Sequence, residues 1–334
     1  MKEAPKILVV GPSWVGDMVM AQSLFISLKN AKPDCQIEVL APAWSLALLE
    51  RMSEVDKAIA MPLLHGQFGF FDRIKLGKKL RSNHYDQAIL LPNSWKSALI
   101  PFVATIPVRT GYMRECRWGL LNDVRWLNKN LLTMTVQRFV ALGLPKTAAL
   151  APECPIPRIV ISKEQQNQVI EKFKLTCSEK ILALCPGAEY GEAKRWPASY
   201  YAEVAKQKIA QGWQVWLFGS DKDKATAEQI NHEVSGACID FTGRTSLAEA
   251  VDLMSLVDVV VSNDSGLMHV AAALDKKIIA LYGSSDPDFT PPLNNKAHVI
   301  SLKLECSPCF KRECPLGHTR CLTDIKPEQV IDVI

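Results

Sequence analysis

At 334 residues the chain exceeds one ordinary hydrophobic core, so two domains are expected. With 48% hydrophobic and 22% charged residues it has the composition of a soluble globular protein. The first ten residues, with Lys2, Glu3 and Lys6, read as neither signal peptide nor membrane span, and no later stretch reaches the roughly 18 uninterrupted apolar residues that spanning needs.

The formal net charge is +4, but it divides into +7 over residues 1–156 and −3 over 157–334. Within the first half, residues 73–138 carry +9. Such a stretch is either a solvated basic face or a surface for an anionic partner. No RNA- or DNA-binding motif accompanies it, so nucleic acid is not expected as a partner.

In chain order, "KILVVG" (6–11), "IEVLAP" (37–42) and "QAILLPN" (87–93) read as buried parallel strands. Between the first two, "VMAQSLFISLKNAKP" spaces its apolar side chains for a helix and ends in Lys and Pro. "SALIPFVATIPV" (97–108) is apolar but short, and reads as buried helix and strand rather than an anchor. Four prolines in residues 144–161 mark a linker. The pattern then restarts with strands in "ILALCPG" (181–187), "QVWLFGS" (214–220), "VDVVVSND" (257–264) and "KIIALYGSS" (277–285), and with a helix in "PASYYAEVAKQKIAQG". Two strand–helix alternations predict an α/β protein of two doubly wound domains facing each other across a cleft. Ligands in such sheets bind beyond the carboxyl ends of the strands.

Three loops at those ends can carry chemistry. "GPSWVGD" (11–17) lacks the GK[ST] of a Walker loop and the GxGxxG of a dinucleotide fold. It is either a plain strand-to-helix turn with Asp17 favoured by the helix dipole, or it presents Asp17 as a general base. "CPGAEYGEAKRWP" (185–197) has two glycines and brings Lys194 and Arg195 to a strand end, which suits a phosphate. In "SNDSGLMHVAAAL" (262–274), Asp264 or Ser265 can cap a helix, Gly266 permits close approach, and the free N–H groups form an anion site without metal. Leu267 belongs to the inward face of that helix, and His269 alone reads as a packed histidine more readily than a catalyst. Farther on, "CSPCFKRECPLGHTRC" holds Cys306, Cys309, Cys314 and Cys321 in a C-x2-C-x4-C-x6-C pattern, with His318 nearby. Such thiols either hold structural zinc or stay unliganded; the spacing is not that of a standard zinc ribbon. The other six cysteines are scattered singly, which fits a reducing cytoplasm.

These stretches, with "LPNSWKSAL", "RTGYMRECRWGLLNDVR" and "LYGSSDPDFTPPL", resemble the ADP-heptose:lipopolysaccharide heptosyltransferases of glycosyltransferase family 9, in particular the branch that adds the second heptose. The resemblance runs from about residue 6 to at least residue 300. It implies a GT-B fold with an acceptor-binding Rossmann-like domain at 1–156, an ADP-heptose-binding one at 157–324, and a C-terminal helix at 325–334 packing back on the first. It also implies inversion at the anomeric carbon, Asp17 as base, and a donor site of Gly187, Glu189, Lys194, Ser220, Asp223, Thr245, Asp264, Ser265, Gly266, Leu267 and His269. Asp223 would approach the ribose and Thr245 the adenine. The acceptor, heptosyl-Kdo2-lipid A, is multiply anionic; Gly16, Asn93, Ser94, Lys96, Arg109, Arg114 and Arg117 are the residues expected to meet it. No cofactor would be required for catalysis, and the cytoplasmic protein could associate peripherally with the inner leaflet. The rival readings are a sugar-nucleotide 2-epimerase of similar fold and a non-catalytic module that binds nucleotide-sugar or lipopolysaccharide.

Overall fold

The structure is a computed structural model that describes residues 4–63, 67–148 and 150–334; Lys2 and Glu3 lie outside them. The chain divides into two compact units, Met1–Pro157 and Arg158–Ile334. The boundary falls in the proline-rich stretch.

In the first unit, β1 (Lys6–Val10), β2 (Gln36–Pro42), β3 (Lys57–Met61), β4 (Gln87–Leu90), β5 (Val108–Tyr112) and β6 (Asp123–Arg125) form one parallel sheet in the order β3-β2-β1-β4-β5-β6. The helices are α1 (Val15–Ala31), α2 (Leu46–Leu49), α3 (Phe70–Leu80), α4 (Trp95–Val103) and α5 (Thr135–Gly143). The runs of Val, Ile and Leu in β1, β2 and β4 are buried because helices cover the sheet. One core cluster joins Leu8, Val10, Leu40 and Leu90 to Leu99 and Ile100 of α4.

The second unit repeats the design. Its strands are β7 (Ile181–Cys185), β8 (Gln214–Leu217), β9 (Ile239–Asp240), β10 (Val259–Asn263), β11 (Lys277–Tyr282) and β12 (Ala297–Ser301), in the order β12-β11-β10-β7-β8-β9. Renumbered from β7, this is the order of the first sheet. The helices are α6 (Lys163–Phe173), α7 (Ala198–Ala210), α8 (Lys224–Glu233), α9 (Leu247–Met254), α10 (Gly266–Ala273), α11 (Arg320–Thr323) and α12 (Pro327–Ile331). In each sheet the strand order reverses beside the first strand, between β1 and β4 and between β7 and β10. Crevices at such switch points are where doubly wound sheets take ligands. All three motif loops of the sequence, and the "PNSW" turn after β4, leave these four strands.

Within the second unit, the last segment places α12 on α7. Val330 is fully buried, and Ile331, Val333 and Ile334 pack against the same core. The Trp196 indole donates to the Ile325 carbonyl at 2.9 Å, and Lys277 Nζ donates to that of Ile334 at 3.2 Å. The apolar face of this short helix finds its complement within its own unit.

Candidate active site

In the first unit, Gly11 follows β1 and its N–H donates to the Leu40 carbonyl at 2.9 Å. A Cβ there would lie 2.8 Å from the Met18 side chain, so glycine is what lets the turn sit on α1. The helix begins at Val15, with Gly16 buried and Asp17 partly exposed in its first turn. A carboxylate is favoured there by the helix dipole, and it stands at the carboxyl edge of the sheet.

The turn after β4 is braced by an arginine. Arg117 has no exposed surface. Its Nη1 donates to Pro92 O at 2.9 Å and to Ser97 Oγ at 3.4 Å; its Nη2 donates to Tyr112 O and, at 3.5 Å, to Asn93 Oδ1. Burial pushes this guanidinium below its ordinary pKa. The expectation that Arg117 meets an anionic acceptor is corrected by this burial: its Nη groups are spent on the turn that presents Asn93 and Ser94 and on Tyr112, and its Nε meets no protein group. Arg109 is corrected for a different reason. It pairs in register with Ala88 near the start of both β4 and β5, at the amino edge of the sheet. There it donates to the carbonyls of Leu120 (2.6 Å) and Ile106 (2.5 Å) and stacks on Phe102. Lys96, on α4, and Arg114, past the end of β5, stand at the carboxyl side, Arg114 exposed.

In the second unit, the loop after β7 and the start of α10 come together. Lys194 Nζ is 2.5 Å from Asp264 Oδ2, with both side chains largely buried, and it also stacks 5.0 Å from the Tyr190 ring centre. Asp264 is thus the lysine's partner and not the cap of α10. Ser265 occupies the cap position, but its side chain accepts no bond from the helix and instead lies 3.2 Å from Ser262 Oγ. By contrast, α6 and α9 are capped by Ser162 and Ser246. The N–H groups of the first turn of α10, at Gly266 and Leu267, accordingly carry no side-chain cap, and with Lys194 they make an anion-attracting corner. His269 lies buried one turn in; burial pushes its imidazole down to about 4, with Asp264 raising it and Lys194 lowering it. It is neutral near pH 7.

Sequence reasoning missed Asn263. Fully buried, it accepts from Trp196 N and Tyr201 Oη at 3.1 Å each and donates to Pro186 O at 2.7 Å, tying the two loops together. Its place at the end of an apolar strand was the available signal. Thr242, Ser284 and Ser285, after β9 and β11, carry buried hydroxyls that no protein group meets, and they too were overlooked.

The other expected donor residues take structural roles in varying degree. Asp223 accepts from Ser220 N (2.9 Å), Ser220 Oγ (2.8 Å) and Arg195 (3.0 Å). Gly187 is the residue that makes room for it, because a Cβ there would fall 2.5 Å from the Asp223 carboxylate. Arg195 is thereby committed to Asp223 and Glu192, and Lys194 remains as the loop's cation at the α10 corner. Glu189 pairs with Lys222 at the surface, and Thr245 is partly buried after β9. Among the described residues no three His, Cys, Asp or Glu side chains form a ready-made metal-binding set.

Comparison with known proteins identifies the family. The sequence pattern of glycosyltransferase family 9 (heptosyltransferase) matches residues 73–320. The chain is 48% identical to lipopolysaccharide heptosyltransferase 2 of Salmonella typhimurium, over 98% of this chain and 97% of the relative, and 47% identical to that of Escherichia coli over the same shares. The solved structure of the E. coli ADP-heptose lipopolysaccharide heptosyltransferase II matches with a TM-score of 0.87 at 44% identity, covering 98% of this chain and 97% of that one. Two Rossmann-like units in one chain are the GT-B plan, and with near-complete coverage at such identity the chain belongs to glycosyltransferase family 9, the heptosyltransferases.

Proposed function

We propose that the chain is an inverting glycosyltransferase that moves L-glycero-D-manno-heptose from ADP-heptose to the first heptose of heptosyl-Kdo2-lipid A. The observation that carries this reading is the Lys194–Asp264 pair set against the uncapped start of α10, in a chain nearly half identical to named heptosyltransferases over its whole length. The epimerase and binding-module readings are not favoured by that similarity.

In the proposed mechanism the first unit takes the acceptor and the second the donor. Asp17 accepts the proton of the acceptor hydroxyl as its oxygen attacks C1 of the heptose. A base is needed because an alcohol is a poor nucleophile, a role typically worth about 10²–10⁴-fold. ADP departs with growing negative charge, which Lys194 and the first N–H groups of α10 neutralise. Fixed donors and one lysine can do the work of a divalent cation, so turnover should not depend on added magnesium or manganese. Lys96 and Arg114 are the basic side chains best presented to the acceptor's anionic groups.

The proposed location is the cytoplasm, at the inner leaflet. No helix among the described residues is long and apolar enough to cross a membrane. On α3, however, Phe71 is 84% exposed and shares a face with exposed Lys75, Lys78 and Lys79. An aromatic flanked by lysines suits an anionic lipid surface. The decisive experiment is incubation of the purified protein with ADP-heptose and heptosyl-Kdo2-lipid A. ADP release matched by a glycolipid heavier by one heptose supports transfer. ADP release without the acceptor, or a changed free sugar nucleotide, would refute it.

A further inference from the structure

Between β12 and α11, residues 302–319 form neither helix nor strand. Connections beyond about 12–15 residues without secondary structure are uncommon inside compact domains. From Ser301 to Cys321 no side chain is buried, so apolar burial does not hold this segment in place. Yet it is anchored. Phe310 N–H donates to Ser284 O at 2.7 Å, Tyr190 Oη to Phe310 O at 2.7 Å, and Ala193 N–H to Arg312 O at 3.0 Å. Gly191 comes so near that a Cβ would lie 2.4 Å from Arg312 O. The segment therefore leans on the loop that presents Lys194.

Its four cysteines are gathered on one small cavity. Cys306, Cys309, Cys314 and Cys321 line about 20 Å³ of space together with His318 and Ala193, room for a single ion. The turn after Cys314 is closed by Gly317 N–H donating to the Cys314 carbonyl at 3.1 Å. His318 Nδ1 already accepts from Arg320 N at 3.0 Å. Lys311, Arg312 and Arg320 are exposed on the same segment and can offset a negatively charged sulfur cluster.

We propose that Cys306, Cys309, Cys314 and Cys321 hold one tetrahedral zinc ion as four thiolates, and that this ion fixes residues 302–319 against the loop carrying Lys194. As placed, the thiols line the cavity without three of them meeting at one point. Binding draws the sulfurs inward by rotation about their side-chain bonds. Each thiol gives its proton to solvent, and nothing is oxidised or reduced. Four soft sulfur ligands select zinc over the hard cations that bind oxygen. The bracing role rests on the reading of Lys194 as a donor-phosphate ligand; the metal site itself does not.

The test uses the full chain purified under reducing conditions without chelator. Elemental analysis should find one zinc per chain, and replacement by cobalt should give intense sulfur-to-cobalt absorption with the visible bands of a tetrahedral site. Cys309→Ser and Cys314→Ser should each lose the zinc and weaken ADP binding by about fivefold or more. Zinc far below one per chain, a cobalt spectrum without sulfur bands, or a mass deficit showing paired disulfides would overturn the site. The cobalt spectrum tests the wild-type chain even where a variant fails to fold. Loss of zinc with unchanged ADP affinity would overturn the bracing role. A zinc-loaded wild type that does not bind ADP at all would count instead against the donor-site reading.

Discussion

Asp17 and Lys194 divide the proposed chemistry between a proton and a phosphate, and their variants should separate accordingly. Asp17→Asn keeps the shape of the first turn of α1 and removes only the basic oxygen. It should bind ADP-heptose as the wild type does and turn over at least about 10²-fold more slowly, seen as a fall in kcat with the donor KM held. Near-normal turnover would take Asp17 out of the mechanism. At His269 the issue is stability. Its imidazole titrates near 4 in the folded chain, against about 6.5 when unfolded. A depressed pKa means that the unfolded chain binds the extra proton first. Stability from this group is thus complete above about 6.5 and declines as pH falls towards 4, by up to about 3 kcal/mol. Urea titrations of His269→Gln should show a shallower loss between pH 6.5 and 4 than the wild type. Arg117 carries a different load. Arg117→Met would leave the half-buried carbonyl of Pro92 and the buried carbonyl of Tyr112 without their donor, and should lower the stability of the first unit by on the order of 3 kcal/mol. The same denaturant titration at fixed pH reads this, and a neutral result would contradict the bracing role assigned to it.

At the level of strands, helices and loops, legibility followed burial. β1, β2, β4, β7, β8, β10 and β11 were readable because central parallel strands are apolar on both faces and stop at Gly, Pro, Asn or Ser. β3 and β12 lie at sheet edges and expose part of their length, β9 is two residues long, and β5 and β6 mix Arg, Thr and Asp into their runs. No apolar run announces such strands. The loops that carry Asp17, Lys194 and Asp264 were legible because glycine and charge stand together after a strand. Arg109 and Arg117 were misread because a charge count tells neither which edge of a sheet a side chain reaches, as for Arg109, nor that its partners are carbonyls distant in sequence, as for Arg117. The loop after β7 also makes a prediction of its own. Gly187→Ala puts a methyl group against the Asp223 carboxylate, and should disturb the Arg195–Asp223 tie and raise the ADP dissociation constant about tenfold, or roughly 1.4 kcal/mol, by calorimetry. An unchanged constant would mean that the loop tolerates the shift without moving Lys194.

For the molecule as a whole, charge and connectivity are distributed by unit. The first carries the basic excess and the second a slight acidic one, so recognition of a polyanionic acceptor should be far more sensitive to salt than donor chemistry is. Raising ionic strength from about 0.05 to 0.5 M shortens the screening length severalfold and should raise the acceptor KM steeply; a flat profile would argue against an electrostatic acceptor surface. The two units also hold separate cores, and the final helix α12 closes the second on itself. The seam between residues 157 and 158 lies among prolines, with no strand or helix running through it. That makes it a natural splice point for hybrid enzymes. Under the proposed division of labour, grafting the front half of a relative with a different glycolipid preference onto residues 158–334 should exchange what is glycosylated while keeping the sugar that is delivered.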